Sequence, residues 1–227
     1  MNAMDIFEEI GRSFEKKIDE EFECYIQFNI GDSGENILID IRDGEVHISH
    51  GIDEGVDIVI GTTTETIQDI HEGKITAFAA AGKADPSEPA PLDWRIGGGF
   101  VPAKMRNIYY TLMHFFHTEE PEKIKLGEEH SRMVHGGHAI PLYYHPGFRS
   151  AWYMIKKGER LNEPGDTDPF PQGIVVIDGE GYAKIGDKTV EIKKNESYYI
   201  PPNSDQVLWT DNEEPLVIIW LAWGESA

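Results

Sequence analysis

The sequence predicts two domains, an α+β domain followed by an all-β domain. The chain has 227 residues, which suits two domains of about 100 residues each. Its first half mixes helical periodicity with short strand patterns. From Gln172 to Asn203, short β-branched runs alternate with Asp-Gly and Gly-Asp turns, which is typical of antiparallel strands. We place the first domain at residues 1–118, a linker at 119–140 and the second domain at 141–227.

The elements of the first half follow from periodicity and punctuation. Apolar residues recur at spacings of three and four over Asp5–Glu21, which predicts an amphipathic helix. Three strands, a helix and a short helix of small residues then follow in order: Asn36–Arg42, Glu45–Ser49, Val56–Gly61, Thr64–Glu72 and Ala77–Gly82. A last helix is predicted at Ala103–His117.

This last helix is apolar over more than half of its circumference, so it needs burial on more than one side. Two interpretations remain open at this stage. The side chains either fill a core, or they form the adaptable wall of an apolar pocket, to which methionine and aromatic residues are suited. The residues concerned are Met105, Ile108, Tyr109, Leu112, Met113 and Phe116.

The order of helix, meander, two short helices, strand and closing helix resembles the sterol-carrier-protein type 2 domain, over about residues 4–118. The resemblance implies an apolar or amphipathic small molecule bound beside the closing helix. The sequence departs from that family in a proline-rich insertion, Asp85–Pro91, and in the run Gly97-Gly98-Gly99.

The second half resembles the cupin family, a jelly-roll barrel, over about residues 140–227. Gln172 and Gly179 fit the second half of the first cupin motif, and Asn195, Pro201 and Asn203 fit the second motif. Further strands are predicted at Trp152–Ile155, Gln206–Thr210 and Leu216–Trp223. In this family three histidines and one glutamate hold a metal.

None of those four metal ligands is present here. In the register that we favour, Asp166, Asp168, Gln172 and Gln206 occupy their positions. A set of carboxylate and amide oxygens suits Mg, Ca or Mn better than Fe or Zn. The resemblance therefore implies a cupin that has lost its usual metal set, with no cofactor; a divalent metal on unusual ligands is the alternative.

Two further residues are candidates for a pocket in this barrel. Strand alternation puts Arg149, Ala151 and Tyr153 on one face and their neighbours on the other. If that face is internal, Arg149 could bind a ligand carboxylate, as guanidinium groups commonly do. An ion pair with a local acidic residue is the alternative interpretation.

A second possible metal site consists of four histidines that precede or begin the barrel. Imidazole is a common ligand of Zn, Fe, Ni and Cu. No predicted helix or strand fixes the geometry of these side chains, so linker histidines are the simpler interpretation. The residues are His130, His135, His138 and His145.

Charge and composition limit which partners this protein is expected to bind. Lys and Arg number 20 against 41 Asp and Glu, a net charge of −21, which disfavours nucleic acids and anionic membrane surfaces. The single cysteine, Cys24, excludes an internal disulfide, and no apolar run is long enough to span a bilayer. The N-terminal segment is acidic rather than basic. We therefore expect a cytoplasmic protein without stable membrane insertion.

Together these features predict a small-molecule-binding protein rather than an enzyme. The first domain would bind an apolar or lipid-like ligand, and the cupin domain would bind a ligand or mediate homodimerisation through the segment Trp220–Trp223, which is apolar on both faces. The alternative is a metal-dependent cupin enzyme, a dioxygenase or isomerase, with unusual metal ligands. Fold alone does not decide between them.

Overall fold

The computed structural model describes residues 3–85, 87–225 and 227. Contacts divide the chain into two compact units, the first ending at Lys125 and the second beginning at Leu126. The predicted boundary lay at residue 118. The segment up to Lys125 belongs to the first unit because Lys17 Nζ donates to Glu122 Oε1 at 2.5 Å, and Lys125 Nζ lies 3.5 Å from the carbonyl of Gly73.

The described elements of the first unit are helices and the strands of one sheet. In chain order they are α1 (Ala3–Phe14), β1 (Cys24–Ile30), β2 (Glu35–Arg42), β3 (Glu45–His50), β4 (Ile58–Thr62), α2 (Thr64–His71), α3 (Ala77–Ala81), β5 (Asp93–Ile96) and α4 (Met105–His114), with 3₁₀ turns at Glu15–Lys17 and Pro102–Lys104. The sheet has the order β3-β2-β1-β4-β5, in which β1 and β4 are parallel.

The predicted helices and strands of this half are confirmed, with differences at their ends. The helix predicted over Asp5–Glu21 stops earlier, at Phe14 and a 3₁₀ turn, and Ile18 is already extended. The chain must turn there to enter β1, and Phe22 donates to the carbonyl of Asp19 in that turn. Periodicity alone continues through Ile18, so the tertiary path ends the helix.

One face of the sheet carries the core of the first unit. Ile26 and Phe28 of β1 are at most 2% exposed, and their partners across the sheet are equally buried. The Phe7 ring of α1 lies 4.7 Å from the Phe28 ring. The opposite face is polar, and there Gln27 donates to Asn29 at 2.7 Å. Alternation of apolar and polar residues therefore positions α1 on one side of the sheet.

The run Gly97-Gly98-Gly99, which departs from the sterol-carrier pattern, allows two loops to touch through their backbones. Gly97 and Gly99 donate to the carbonyls of Asp57 and Val56, both at 2.9 Å. A Cβ added at Gly99 would lie 2.0 Å from the carbonyl oxygen of Gly55. Glycine is required here by close approach of backbone.

The second unit consists of two facing sheets in the expected jelly-roll arrangement. The described strands are β6 (Arg132–Val134), β7 (Gly137–His145), β8 (Phe148–Ile155), β9 (Arg160–Leu161), β10 (Gln172–Asp178), β11 (Glu180–Ile185), β12 (Lys188–Lys193), β13 (Ser197–Ile200), β14 (Gln206–Trp209) and β15 (Leu216–Trp223). The larger sheet has the order β13-β10-β15-β8-β7-β6, and the smaller has β12-β11-β14-β9.

The segment predicted as a linker, 119–140, contributes to both units. It contains β6 and the start of β7, which belong to the larger sheet of the second unit. The Gly136 position explains why the sequence looks like a loop there. A Cβ at Gly136 would meet the carbonyl oxygen of Arg160 at 2.1 Å, so glycine here permits a close contact between the β6–β7 turn and β9.

The interior between the two sheets is aliphatic at one end. Buried residues from both sheets pack together there, and Tyr153, Tyr198 and Trp220 pack against them. The aliphatic cluster comprises Ile155, Leu161, Ile174, Val176, Ala183, Ile192, Ile200, Leu208, Leu216 and Ile218. Among the described helices of the chain, none has the length and apolar character needed to cross a membrane.

Candidate functional site

A polar cluster lies beside the aliphatic core of the second unit. Gln172 begins β10 and Gln206 begins β14, so each enters the interior from a different sheet. Both side chains are buried, with exposures of 0% and 4%. Asp168 reaches them from the loop before β10, and Trp220 reaches them from β15. The two strand starts and this loop therefore converge on one place.

Hydrogen bonds join these four side chains. The Nε2 atoms of Gln172 and Gln206 both donate to Asp168 Oδ2, at 3.0 and 3.2 Å. Gln172 Oε1 accepts from Gln206 Nε2 and from Trp220 Nε1, both at 2.6 Å. We call this set, Asp168, Gln172, Gln206 and Trp220, the interior network. Each buried amide that it contains has a partner, as burial requires.

The interior network does not fit an iron or zinc centre. Imidazole and thiolate are absent from it, and the amide N–H groups of both glutamines point at the one carboxylate. A divalent ion bound by Asp168 would have to displace these donors. Over the described residues, moreover, no group of three or more His, Cys, Asp or Glu side chains is arranged to hold a metal.

Arg149 lies on the interior face of β8, together with Ala151 and Tyr153. It pairs with Ala222 of β15, and Ala222 pairs with Gln172 on its other side, so the three residues form one inward row. The Arg149 guanidinium carbon lies 5.6 Å from the ring centroids of both Tyr144 and Phe170. The guanidinium is thus held between two aromatic rings at cation–π distance.

Asp168 carries the charge of the interior network. Burial raises the pKa of its carboxyl, because solvent is partly removed from the charged form. The positive charge of Arg149, the hydrogen bond from Gln172 and the charge of His135 each lower the pKa by less, while Asp166 raises it further. The net pKa is above the usual value for an aspartate.

Tyr153 shares the inner face with Arg149 but serves the core. It pairs with Ala139 and Ile218 and packs against the aliphatic cluster. Burial raises the pKa of its phenol far above the usual value, so the phenol stays neutral at any physiological pH. Tyr153 is therefore a wall of the interior rather than a base.

Asp166 does not join the other predicted residues of this site. It is exposed, and its Oδ2 accepts from the backbone N–H of Glu163 at 3.1 Å within the loop 163–166. The register of the cupin motif placed it beside Asp168. A proline- and glycine-rich loop has no fixed side-chain alternation, so the sequence could not decide which aspartate turns inward.

The structure does not gather the four histidines. His138 and His145 lie seven residues apart on β7, a span of about 23 Å in an extended strand. His138 Nδ1 lies 3.3 Å from Ser131 Oγ and its Nε2 lies 3.4 Å from Glu159 Oε1. His145 Nδ1 contacts the carbonyl of Pro146 at 3.0 Å. His130 and His135 occupy a 3₁₀ turn and a hairpin turn with positive φ.

Three aromatic residues of the site were not predicted as site residues. They are Tyr144, Phe170 and Trp220. For Trp220, on the strand predicted at Leu216–Trp223, the sequence left two roles open: lining the barrel or making a dimer contact. The strand is apolar on both faces because Trp220 and Ala222 face the interior while Leu221 and Trp223 face outward. The signal that could have identified Trp220 is strand alternation, which puts it on the same face as Ala222, the partner of Gln172 across the sheet.

In the first unit, the six residues predicted to fill a core or line an apolar pocket, five on α4 and Phe116 just after it, divide into two groups. Ile108, Leu112 and Phe116 are buried, with exposures of 1%, 5% and 8%. Met105, Tyr109 and Met113 are half-buried, and the Tyr109 ring lies 6.1 Å from the Phe78 ring of α3. Burial on more than one side is confirmed, because α4 packs against both β1 and α3.

A charged pair anchors the start of α4. Lys104 Nζ donates to both carboxylate oxygens of Asp57, at 3.0 and 3.1 Å, and Asp57 is fully buried. Asp57 Oδ2 also accepts from the N–H of Tyr25 at 2.9 Å. Beside this pair, burial raises the pKa of the Cys24 thiol to about 12. No sequence pattern distinguished Asp57 from the many exposed acidic residues.

No family model matches the chain, and no curated protein matches it. Solved structures with a similar fold were found. The plu4264 protein from Photorhabdus luminescens has a TM-score of 0.42 and 16% identity, covering 47% of this chain and 90% of that chain.

Two further similar structures carry cupin names. A cupin 2 conserved barrel domain protein from Salinispora arenicola has a TM-score of 0.41 and 16% identity, covering 47% of this chain and 91% of its own. An RmlC-like cupin from Shewanella frigidimarina has a TM-score of 0.38 and 14% identity, covering 43% and 82%.

Proposed function

We propose that this chain is a small-molecule-binding protein whose cupin-like second unit binds its ligand without catalysing a reaction. The observation that supports this most is the interior network. Side chains that could hold a metal are instead bonded to one another, with Gln206 Nε2 only 2.6 Å from Gln172 Oε1. A buried network with its bonds made is rigid and shapes a specific pocket. The protein needs no metal or other cofactor for this role.

The test combines metal analysis with ligand binding. Full-length protein purified without a chelator should contain Fe, Zn, Mn, Mg and Ca well below one equivalent by elemental analysis. Native mass spectrometry should then reveal a bound organic compound, or mass shifts when small metabolites are added. A stoichiometric metal that is lost from the variants Gln172→Leu and Gln206→Leu would contradict the proposal and favour a metal-dependent dioxygenase or isomerase.

In the first unit we propose a site for an apolar or amphipathic molecule beside α4. The half-buried Met105, Tyr109 and Met113 supply an adaptable apolar surface. Thr62 shares the helix-covered face of the sheet with Ile30, and among the described residues its buried Oγ1 has no hydrogen-bond partner. A ligand with a single hydroxyl or ester group would satisfy that oxygen.

Thermal denaturation tests this site. A fatty alcohol, an acyl ester or a sterol should raise the melting temperature, because a ligand that binds only the native state stabilises it. Met113→Trp should remove that increase by filling the space, while the variant still folds. Thr62→Val should weaken binding and leave the unliganded protein at least as stable. If no such compound raises the melting temperature, the carrier role is wrong.

We further propose that the protein is a homodimer through the outer face of the larger sheet. Exposed aromatic residues lie there: Tyr199 is 58% exposed, Trp223 is 39% exposed, and their rings are 6.1 Å apart. Tyr199 lies on β13, the last strand of the larger sheet, whose outer edge could pair with another strand. Sedimentation should give a dimer at tens of micromolar, and Trp223→Glu should give a monomer. A wild-type monomer would refute this arrangement.

A further inference from the structure

The Arg149 side chain stands out among the charged groups of the second unit. It projects from β8 into the interior and is half-buried, so solvent still reaches it. Within the described part of the chain, no carboxylate oxygen lies within 4.0 Å of its guanidinium. Its guanidinium carbon lies 5.6 Å from the ring centroids of Tyr144 and Phe170.

A half-buried guanidinium without an anion is costly, since aromatic rings return only part of the lost hydration. The adjacent carboxylate of Asp168 does not form an ion pair with it. Asp168 Oδ2 is instead occupied by the two glutamine amides of the interior network. The guanidinium of Arg149 carries five N–H donors in a planar fork, and this arrangement suits a bidentate carboxylate.

Asp168 restricts the anion that can bind. If the ligand carried a further carboxylate next to Asp168, the two negative charges would repel each other. A hydroxyl or ammonium group on the ligand could instead donate to Asp168. Asp168 is half-buried, so a ligand that reaches Arg149 can also reach it. An acid with a donor next to its carboxylate satisfies both side chains at once.

We infer that the barrel of the second unit binds a small monocarboxylate with a neighbouring hydroxyl or amino group, held by Arg149 and Asp168 between Tyr144 and Phe170. This inference rests on the proposed binding function of the same barrel and specifies its ligand class. The aromatic walls favour an apolar remainder on the ligand. The guanidinium supplies the recognition that the missing cupin metal set does not.

Matched compounds on one skeleton test the inference. The probes are 2-hydroxy-3-phenylpropanoate, the 2-amino acid with the same side chain, 3-phenylpropanoate and 2-hydroxy-3-phenylpropanamide, titrated into the full chain by calorimetry. The hydroxy or amino acid should bind most tightly. Loss of the hydroxyl, or of the carboxylate charge, should each raise Kd about ten- to hundredfold, as expected for a charge-assisted hydrogen bond.

Two arginine variants provide the matched control. Arg149→Gln should abolish the preference for the acid over the amide. Arg160→Gln removes a guanidinium that also stacks on an aromatic ring, at 4.9 Å from Trp209, but Arg160 is exposed. That variant should retain the wild-type preference. Arg149→Lys should bind the acid more weakly than wild type, because an ammonium cannot form the bidentate pair.

The outcomes separate this inference from the proposed function. If the amide binds as well as the acid, or if Arg149→Gln keeps the preference, the carboxylate inference is wrong and the barrel still binds small molecules. If neither the acids nor the amide bind, the inference and the proposed barrel function both fail. A preference that Arg149→Gln removes and Arg160→Gln preserves supports both.

Discussion

The interiors of the two units are built differently. In the first unit, aromatic and aliphatic side chains fill the space between α1, β1 and the end of α4, where the rings of Phe7, Phe28 and Phe115 lie within 6.4 Å of a neighbour. In the second unit, an aliphatic core occupies one end and a hydrogen-bonded polar network the other. Polar groups in an interior cost stability unless they are paired, and the side chains of the interior network are paired with one another.

The charged residues of the two interiors make the same contrast. Buried Asp57 in the first unit is paired with Lys104 at 3.0 Å, and the pair ties α4 to the sheet. Arg149 and Asp168 in the second unit are near enough to interact but form no ion pair within the described residues. Lys104 neutralises the buried Asp57, whereas the guanidinium of Arg149 lies against aromatic rings and the carboxylate of Asp168 accepts from glutamine amides.

The largest expected effect lies in the aromatic core of the first unit. Phe28→Ala should lower the free energy of unfolding by about 3–5 kcal/mol, because it leaves a cavity among rings that cannot collapse. Urea denaturation measures this loss of stability. The reaction of Cys24 with a thiol reagent reports unfolding, because Cys24 is 1% exposed in the folded chain. Tyr143→Ala, at a side chain 57% exposed, should change stability by less than about 0.5 kcal/mol. Equal effects would contradict the packed core.

The interior network should show the next largest effect. Gln172→Leu should cost about 1–3 kcal/mol, because Trp220 Nε1 and Gln206 Nε2 lose their shared acceptor. The double variant with Gln206→Leu should cost clearly less than the sum of the two single variants, since both residues belong to one network. Urea denaturation followed by tryptophan fluorescence measures all three. Strict additivity would show that the two glutamines act independently.

A variant that disturbs the close backbone contact of the glycine run should lose a comparable or smaller amount of stability. Gly99→Ala should destabilise the first unit by about 1–3 kcal/mol, since its new Cβ would overlap the carbonyl of Gly55 at 2.0 Å. Gly31→Ala is the matched control, because a Cβ there would lie 3.7 Å from the carbonyl of Thr62. Thermal denaturation of both variants tests the contrast. An unchanged Gly99→Ala would mean that the two loops separate at little cost.

The pH dependence of stability should show the smallest effect. A raised pKa in the folded chain means that Asp168 contributes stability below its unfolded pKa of about 3.9 and loses it as pH rises through the folded pKa. Asp168→Asn cannot titrate, and its Oδ1 can still accept from both glutamines. The variant should therefore gain stability relative to wild type between about pH 3 and pH 7. If the curves of stability against pH run parallel for Asp168→Asn and the wild type, the raised pKa of Asp168 is contradicted. Solvent screening keeps the expected difference small.

Much of the local structure could be predicted from the sequence. Strand alternation and turn glycines predicted the strands around Asp43-Gly44 and Gly186-Asp187, and all three of Asp43, Gly44 and Gly186 have positive φ in the structure. Such signals are local, because a turn residue needs only its own backbone conformation. The predicted convergence of Asp168, Gln172 and Gln206 came from motif spacing, and the structure brings these three together.

The tertiary structure alone decided which polar residues face one another. Asp166 and Asp168 are two residues apart in one loop, yet only Asp168 bonds to the glutamines, because the loop path and not an alternating strand sets their directions. Trp220 joined the site through pairing of β10 with β15, a contact between segments 48 residues apart. The sequence by itself determined the elements and the residue types available. Tyr144 meets Arg149 across the β7–β8 hairpin, whereas only the tertiary path of the loop before β10 brings Phe170 to the same guanidinium.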